Sequence, residues 1–246
     1  MKNILLLLSF TLFFSPVFAS DMAKEKRWAE QIEDGLMDGE SAELNAGDIS
    51  FYTVYTEAGE AKDTAILLLH GLGVHPDWQQ VINPLRTALP EKGWSTLSIQ
   101  LPILENGAPE KDYKPLLKEV PARLESSITF LREKGAKNVL IIAHSHGAQM
   151  ATYALQDMQD QVTGFVGIGM GPDNADYLPK LTIPVYDLYG ENDLEDVLKS
   201  VEKRAKASKD NKNYKQTKVK GASHFFDDMD EQLIDIVVAW LKDHSE

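Results

Sequence analysis

Apolar residues fall into runs of strand length along most of the chain, separated by segments in which apolar residues recur at helical spacing. The runs at 64–69 and 139–142 contain no charged residue, which is typical of strands buried on both faces of a sheet. Shorter or alternating runs indicate further strands. Together these patterns predict strands at 49–55, 64–69, 94–101, 139–142, 162–170, 183–189 and 214–219.

The segments between the strands carry apolar residues three or four positions apart, as expected for helices that pack one face on a sheet. The first segment, Ser20 to Glu40, has Trp28, Ile32 and Leu36 on one stripe, and we interpret it as an amphipathic helix lying on the domain. Helices are predicted at 20–40, 79–89, 116–134, 147 onward, 194–208 and 232–241, with loops at 57–63, 102–114 and 171–180.

The alternation of strands and helices from Thr64 onward predicts an α/β fold, with a mostly parallel central sheet and helices on both faces. Functional side chains in such sheets lie at the carboxyl ends of the strands. The loop at 171–180 is too short, and too rich in proline and glycine, to form a helical cap domain. We therefore expect a shallow, solvent-open cleft, covered at most by this loop, the loop at 102–114 or the N-terminal helix.

The first 19 residues have the features of a cleavable signal peptide. Lys2 supplies a positive charge, residues 4–14 are almost wholly apolar, and Val17-Phe18-Ala19 provides a cleavage site. We expect cleavage after Ala19 and a periplasmic or secreted protein. A membrane anchor is disfavoured because the apolar run is shorter than the roughly 20 residues that span a bilayer. The predicted organisation is a signal peptide (1–19), an N-terminal helical extension (20–48) and one domain (49–246).

Composition narrows the functional classes. The 246 residues include no cysteine, which excludes disulfides, thiolate metal sites, a cysteine nucleophile and a lipid anchor. The formal net charge is −13, and loss of Lys2 with the signal peptide would make it −14. This charge disfavours nucleic acid and anionic membrane surfaces as partners. No segment after residue 19 is apolar enough to predict a membrane span.

The segment Ala143-His144-Ser145-His146-Gly147 joins a predicted buried strand directly to a helix. Small residues two positions before and after the serine let the strand and helix backbones pass close to each other. This pattern is typical of the nucleophile elbow, a strained turn that raises a serine hydroxyl above the sheet edge. A serine that only caps the helix would give a similar pattern, so the interpretation depends on the other strand ends.

An acid and a histidine follow two later strands. Asp193 and His224 each stand in a loop after a predicted strand, so serine, acid and histidine occur in that order along the chain. Glu191 is a rival acid, and Asp193 could serve only as the N-cap of the next helix. His244 is a weaker candidate than His224, because it lies too close to the end of the chain for a strand-end loop.

With these residues the chain resembles the α/β-hydrolase superfamily, whose catalytic triad runs in the order serine, acid, histidine. The resemblance covers roughly Ile49 to the C-terminus. Several segments are also similar to an uncharacterised family of exported bacterial proteins with this fold, whose members vary at the nucleophile position. These segments are Asp38-Gly39-Glu40, His75-Pro76-Asp77-Trp78, Pro84-Leu85-Arg86 and Gly93-Trp94-Ser95-Thr96-Leu97-Ser98.

The resemblance implies a role for each residue. A serine hydroxyl is a poor nucleophile until a base lies within hydrogen-bond reach. His224 would take the Ser145 proton and return it to the leaving group, and Asp193 would hold the imidazole in the correct tautomer. The backbone N–H groups of Leu72 and His146 would stabilise the oxyanion.

The remaining histidines near these motifs are candidates for shaping the site. His70, His75 and His144 could line the pocket or support the oxyanion loop. A metal shared with His146 is not expected, because the elbow turns the side chains beside the serine in different directions. We expect no cofactor, and we expect Trp78 to pack beneath the oxyanion loop rather than to stack on a substrate.

The sequence therefore predicts a serine hydrolase that cleaves a carboxylic ester or related acyl bond of a small molecule through an acyl-enzyme. The alternative is a non-catalytic binding or scaffold protein, because fold does not determine function. We expect a monomer without nucleic-acid or membrane-spanning functions. The motifs leave open the acyl chain, the leaving group, and the choice among ester, thioester and amide hydrolysis and acyl transfer.

Overall fold

One sheet of eight strands runs through the computed structural model, which describes residues 20–245. The signal peptide predicted at 1–19 lies outside the described residues. The strands are β1 (Glu40–Ala46), β2 (Ile49–Thr56), β3 (Thr64–Leu69), β4 (Thr96–Ile99), β5 (Asn138–His144), β6 (Gly164–Ile168), β7 (Val185–Asn192) and β8 (Tyr214–Ser223).

Helices follow most of the strands along the chain. The α-helices are α1 (Met22–Gly35), α2 (Ile82–Glu91), α3 (Val120–Glu133), α4 (His146–Met158), α5 (Asn174–Tyr177), α6 (Glu195–Ala207) and α7 (Asp230–His244). Three segments are 3-10 helices, at Glu110–Glu119, Gln159–Gln161 and Leu178–Lys180. Among the described residues, no helix is both long enough and apolar enough to cross a bilayer.

The sheet order is β1-β2-β4-β3-β5-β6-β7-β8. β2 pairs antiparallel with β1 and with β4, whereas all pairs from β4 to β8 are parallel. This topology confirms the predicted α/β fold and its mostly parallel sheet. It leaves β1 and β8 at the two edges, and it brings the carboxyl ends of β3, β5, β6, β7 and β8 to one side.

The core has two layers because successive side chains of a strand point to opposite faces of the sheet. In β3, Leu67 and Leu69 belong to one buried cluster, whereas Ile66 and Leu68 belong to the other. The first cluster is completed by residues of α3 and α4, and the second by residues of α2 and α7. All four β3 side chains are fully buried, as the uninterrupted apolar run predicted.

The N-terminal segment is not helical throughout, so the predicted helix at 20–40 is too long. α1 ends at Gly35, and the chain turns at Gly39, whose φ is +89°. A Cβ at Gly39 would lie 2.6 Å from the Tyr55 carbonyl oxygen, so the turn packs tightly against β2. Residues 40–46 then form β1, which pairs with β2 from Glu40 opposite Tyr55. The segment expected to be a helical extension therefore also supplies an edge strand.

The segment before α3 also differs from prediction. Residues 110–119 form a 3-10 helix, so the loop predicted to reach 114 ends earlier and the helix predicted from 116 begins at Val120. Pro115 and Pro121 account for the boundary, because proline lacks the N–H that continues an α-helix but fits its first turn.

The connection from β6 to β7 contains only α5, with four residues, and one 3-10 turn. No helical cap domain lies over the sheet edge in the described part of the chain. The expectation from the short loop at 171–180 is therefore confirmed, and the carboxyl ends of the strands are covered only by short segments.

Candidate active site

Ser145 occupies the turn between β5 and α4 with φ 55° and ψ −122°. A positive φ is unfavourable for a residue with a Cβ and is found mainly where the surrounding structure enforces it. Here the Ser145 N–H donates a hydrogen bond to the Ile168 carbonyl at 2.8 Å, which ties the turn to the end of β6. The sequence pattern had predicted this strained strand-to-helix turn.

Gly147 explains why the turn needs small residues. A Cβ at this position would lie 2.2 Å from the His70 carbonyl oxygen and 2.9 Å from that of Leu69. The first turn of α4 therefore packs directly against the end of β3, with backbone facing backbone. Ala143, the other small residue of the pattern, is completely buried.

The structure brings Ser145, His224 and Asp193 into one hydrogen-bonded chain. His224 Nε2 lies 2.9 Å from Ser145 Oγ, and His224 Nδ1 lies 2.6 Å from Asp193 Oδ1. Both distances are within hydrogen-bond range. The imidazole therefore donates from Nδ1 to the carboxylate and can accept the serine proton at Nε2.

Asp193 is held as a carboxylate by several donors. Its Oδ2 accepts from the Gly190 N–H at 3.0 Å, and its Oδ1 accepts from the Leu194 N–H at 2.8 Å. Burial by itself raises the pKa of Asp193, but the hydrogen bonds from His224 and the two amides outweigh it and lower the pKa below its usual value. The acid in contact with His224 thus stays ionised.

The rival residues lie elsewhere. Glu191 accepts from the Gly221 N–H at 3.0 Å and is exposed, with no contact to His224 among the described residues. His244 stacks on Trp240 at a ring distance of 4.2 Å near the end of α7. The helix after Asp193 begins at Glu195, so Asp193 turns its carboxylate to the imidazole rather than capping that helix.

Two residues that the sequence analysis did not single out fix the imidazole. Gly169 has φ +64°, and a Cβ there would lie 2.8 Å from a ring carbon of His224, so only glycine leaves room for the ring. Phe225 packs edge-on against His224 at 5.0 Å between ring centres. The sequence feature that could have indicated Gly169 is its position at the end of the strand next to the elbow strand, where the chain approaches the site.

The loop after β3 lies against the nucleophile. A Cβ on Gly71 would be 3.5 Å from Ser145 Cβ, so the residue before Leu72 approaches the serine, and Leu72 itself is partly exposed. His146 is the first residue of α4, where an N–H has no intrahelical acceptor. Both amides proposed for the oxyanion thus belong to segments beside Ser145.

The three histidines expected to line the pocket do not line it. His70 is fully buried, accepts from the Leu101 N–H at 3.0 Å and lies 2.8 Å from the Gly71 carbonyl, so it ties two strand-end loops together. His75 lies between Trp28 and Trp78, with ring distances of 4.7 and 5.4 Å. Trp78 therefore packs against His75, four residues after Gly71.

His144 is buried beneath the catalytic candidate residues. Its Nε2 lies 3.0 Å from the His224 carbonyl oxygen, and the two rings are 4.8 Å apart. Because a carbonyl only accepts, His144 carries its proton on Nε2 and is neutral. Burial lowers the pKa of His144 to about 4, and that of His70 to about 3. These side chains support the loops and the His224 backbone.

A cleft of about 700 Å³ opens above Ser145. One wall is the start of the 3-10 helix, with Glu110, Lys111 and Lys114, and His146 lies at its base. The other walls are the loop after β6 and the first turn of α6. The lining is completed by Gln149, Gly169, Gly171, Pro172, Asp173, Asn174, Leu194, Glu195, Asp196, Val197 and His224. Most of these side chains are polar or charged, and α1 does not contribute.

His146 connects the nucleophile to the cleft wall. Its Nδ1 lies 3.4 Å from a Glu110 carboxylate oxygen, and its ring packs edge-on against Tyr113 at 5.2 Å. Within residues 20–245, no group of three or more histidine, aspartate or glutamate side chains is arranged to hold a metal ion.

The sequence matches one family over nearly its whole length. Residues 16–115 and 105–243 match the family described as "Protein of unknown function (DUF3530)". The chain belongs to this family. A comparison with curated proteins gives no match.

Solved structures share the fold of this DUF3530 protein. Est1E from Butyrivibrio proteoclasticus has a TM-score of 0.67 at 16% identity, covering 84% of this chain and 98% of its own. The esterase Pf2001 from Pyrococcus furiosus has a TM-score of 0.70 at 15% identity, covering 87% and 94%. XC6422 from Xanthomonas campestris, an α/β serine hydrolase without lid, has a TM-score of 0.65 at 13% identity, covering 84% and 94%. These similarities confirm the α/β-hydrolase fold.

The close contact at Gly147 predicts a severe effect of adding one methyl group. Gly147→Ala should lower the free energy of unfolding by about 3 kcal/mol or more, since a rigid backbone cannot yield to the added atom. Urea denaturation measures this change. Gly35→Ala, in a helix with nothing near the new Cβ, is the control and should be neutral or slightly stabilising. Equal effects of the two substitutions would contradict the packing argument.

The buried neutral histidines predict that the protein loses stability in mild acid. Burial lowers the pKa values of His70, His75 and His144 below the ordinary 6.5, so between about pH 6.5 and 4 the unfolded chain binds protons that the folded chain does not. The free energy of unfolding should fall with pH by about 1.4 kcal/mol per unit for each such histidine. His144→Gln should remove one contribution from the slope measured by urea denaturation at several pH values. An unchanged slope would contradict this.

Proposed function

We propose that this protein is a serine hydrolase that cleaves an ester or related acyl bond through an acyl-enzyme. The observation that carries the proposal is the hydrogen-bonded chain from Ser145 through His224 to Asp193 at the floor of a cleft. Each member has the position that acyl transfer requires, and the hydrogen bonds to Asp193 hold it as a carboxylate.

The geometry supports the following sequence of steps. Ser145 Oγ attacks the carbonyl carbon of the substrate while His224 Nε2 removes the hydroxyl proton. The carbonyl oxygen becomes an oxyanion, which the amides of Leu72 and His146 stabilise, helped by the N-terminus of α4. His224 then protonates the leaving group, and an acyl group remains on Ser145. Water then attacks this acyl group while His224 removes its proton, the bond to Ser145 Oγ breaks, the carboxylic acid leaves and His224 returns a proton to Oγ.

The strain at Ser145 further supports an enzyme rather than a scaffold. A residue with a Cβ at φ 55° costs free energy that a purely structural turn would avoid by using glycine. Keeping a serine there is useful when its hydroxyl must face His224. Pf2001 is named an esterase and XC6422 an α/β serine hydrolase, which agrees with this proposal.

The triad assignment predicts a non-additive loss of activity. Ser145→Ala and His224→Ala should each reduce kcat by about 10⁴-fold or more, and the double variant should be hardly worse, because the residues act as a unit. The measurement is hydrolysis of p-nitrophenyl acetate. Ser41→Ala and His244→Ala, at positions outside the cleft, are matched controls and should retain activity.

Labelling with a fluorophosphonate probe separates an enzyme from a binding protein. Wild-type protein should react once, at Ser145, and Ser145→Ala should not react. Folded wild-type protein that neither reacts with the probe nor hydrolyses any acyl substrate would support the non-catalytic alternative. If the losses of kcat in Ser145→Ala and His224→Ala multiply in the double variant, the triad assignment is contradicted.

The cleft walls point to the kind of substrate. Lys111 and Lys114 are three residues apart in a 3-10 helix, which has three residues per turn, so both lie on the cleft side. Neither makes an ion pair or hydrogen bond to another described residue. Of the four acids that line the cleft, Asp173 accepts from Gln149 at 3.1 Å, Glu195 pairs with a lysine in its own helix and Glu110 lies 3.4 Å from His146, which leaves Asp196 as the acid without a partner among the described residues. We propose that the substrate carries a negative charge that faces the two lysines.

A matched pair of esters tests this preference. 4-Acetoxybenzoate is anionic and 4-acetoxybenzamide is its neutral counterpart, so the ratio of their kcat/KM values reports charge recognition. Replacing both Lys111 and Lys114 by glutamine should lower this ratio about three- to tenfold, since each exposed charge pair contributes up to ~1 kcal/mol. Lys118→Gln, on the same 3-10 helix but outside the cleft, is the control. An unchanged ratio in the double variant would overturn the charge preference while leaving the triad intact.

A further inference from the structure

Ser20 lies in a buried pocket formed by three other segments. Its backbone nitrogen is 3.2 Å from Glu119 Oε1, at the end of the 3-10 helix. Its hydroxyl accepts from the Ile103 N–H at 2.9 Å and contacts the Glu25 carboxylate of α1. Only 7% of the residue is exposed, so the first described residue is fixed as firmly as a core side chain.

The charges around this pocket do not balance. The Arg123 guanidinium, which is fully buried, donates to both oxygens of Glu25 at 2.8 and 2.9 Å and to the Gln100 carbonyl at 2.7 Å, so its short contacts do not include Glu119. Glu119 is a second carboxylate, 3.8 Å from Arg123, and its Oε2 has no hydrogen-bond donor among the described residues. One cation therefore faces two carboxylates in a largely buried site, an arrangement that costs free energy.

Neighbouring charged groups do not supply the missing cation. Lys24 directs its ammonium group to the Leu104 carbonyl at 2.8 Å rather than to Glu119. The nearby carboxylate of Asp21 accepts from the Lys24 N–H at 2.9 Å. Burial raises the pKa of Glu119, and only the Ser20 N–H and the shared Arg123 act against this. The group closest to the unbalanced carboxylate is thus the Ser20 nitrogen.

We propose that Ser20 is the first residue of the mature protein and that its α-ammonium group forms an ion pair with Glu119. Hydrolysis of the Ala19–Ser20 bond adds water, leaves a carboxylate on the released peptide and an amine on Ser20, which binds a proton at neutral pH. The site then holds two cations and two carboxylates. An ammonium has three N–H donors, where the uncleaved amide has one, and can also satisfy the second Glu119 oxygen.

This pairing makes removal of the N-terminal segment a stabilising step. The positive end of the α1 dipole opposes a cation at this position. The Glu119 carboxylate lies 3.2 Å from the Ser20 nitrogen and the Glu25 carboxylate contacts the Ser20 hydroxyl, and two full negative charges outweigh a half-charge. The uncleaved chain keeps a neutral amide at Ser20, lacks the pair and should fix α1 less firmly to the domain.

The test compares two forms of the protein that differ only in their first residues. One begins at Ser20, released from a fusion partner without extra residues, and the other carries two added glycines before Ser20. At pH 6.5 the first form should have a Tm about 3–6 °C higher. The same comparison in Glu119→Gln should show no difference. Glu105→Gln, an exposed glutamate in the loop before the 3-10 helix, is the control and should keep the full difference.

The pH dependence gives an independent readout. Pairing with Glu119 raises the pKa of the α-amino group above its ordinary value of about 7.7–8, so at pH values where Glu119 is ionised the stabilisation is complete below that value, and it disappears as pH rises through the folded-state pKa of the amine. The Tm difference should therefore vanish at high pH. Equal Tm values at pH 6.5, a difference that survives Glu119→Gln, or an exported protein whose N-terminal sequence begins elsewhere would each overturn the proposal. None of these outcomes depends on catalytic activity.

Discussion

The close approach of α4 to the end of β3 is the constraint on which the site depends. Gly147 lets the two backbones come into contact. Because of this contact, the chain must turn from β5 into α4 within a single residue, Ser145, which has a positive φ. The position of the hydroxyl and the proximity of the β3 loop therefore both follow from one packing contact.

The buried charged side chains near the site are each paired with a partner. Asp187 on β7 binds Arg204 of α6 at 2.8 Å, and both side chains are completely buried, so the sheet and the helix that carries one cleft wall are joined. Asp193 precedes that helix and reaches His224. A buried carboxylate without such partners would be destabilising. His70 and His144, which lie below the site, avoid the free-energy cost of a buried charge because they stay neutral.

Much of the fold could be predicted from local pattern, because buried parallel strands are apolar throughout. β3 has the predicted bounds of 64–69, and the order of elements from it onward is as expected. The edge strand β1 was not predicted, because it contains Glu40 and Glu43 and has no apolar run. The order of Ser145, Asp193 and His224 along the chain indicated a site, since strand ends of a parallel sheet converge.

What local pattern could not supply was the environment of each side chain. His70 and His144 look like pocket residues in the sequence, but their burial depends on loops that come from distant parts of the chain. Lys111 and Lys114 lay in a segment expected to be loop, and nothing in their neighbours indicates that a 3-10 helix turns them toward Ser145. Such facts arise only when segments far apart in sequence are packed together.

The two edges of the sheet carry charges of opposite sign. β1 presents Glu40 and Glu43, whereas β8 presents Lys215, Lys218 and Lys220. Charged side chains on an edge strand hinder the addition of a foreign strand, because pairing would bury them against another chain. Copies meeting at like edges would also repel each other. Pairing of like edges is therefore disfavoured twice, whereas pairing of the β1 edge of one copy with the β8 edge of another is opposed only by the burial of the charged side chains.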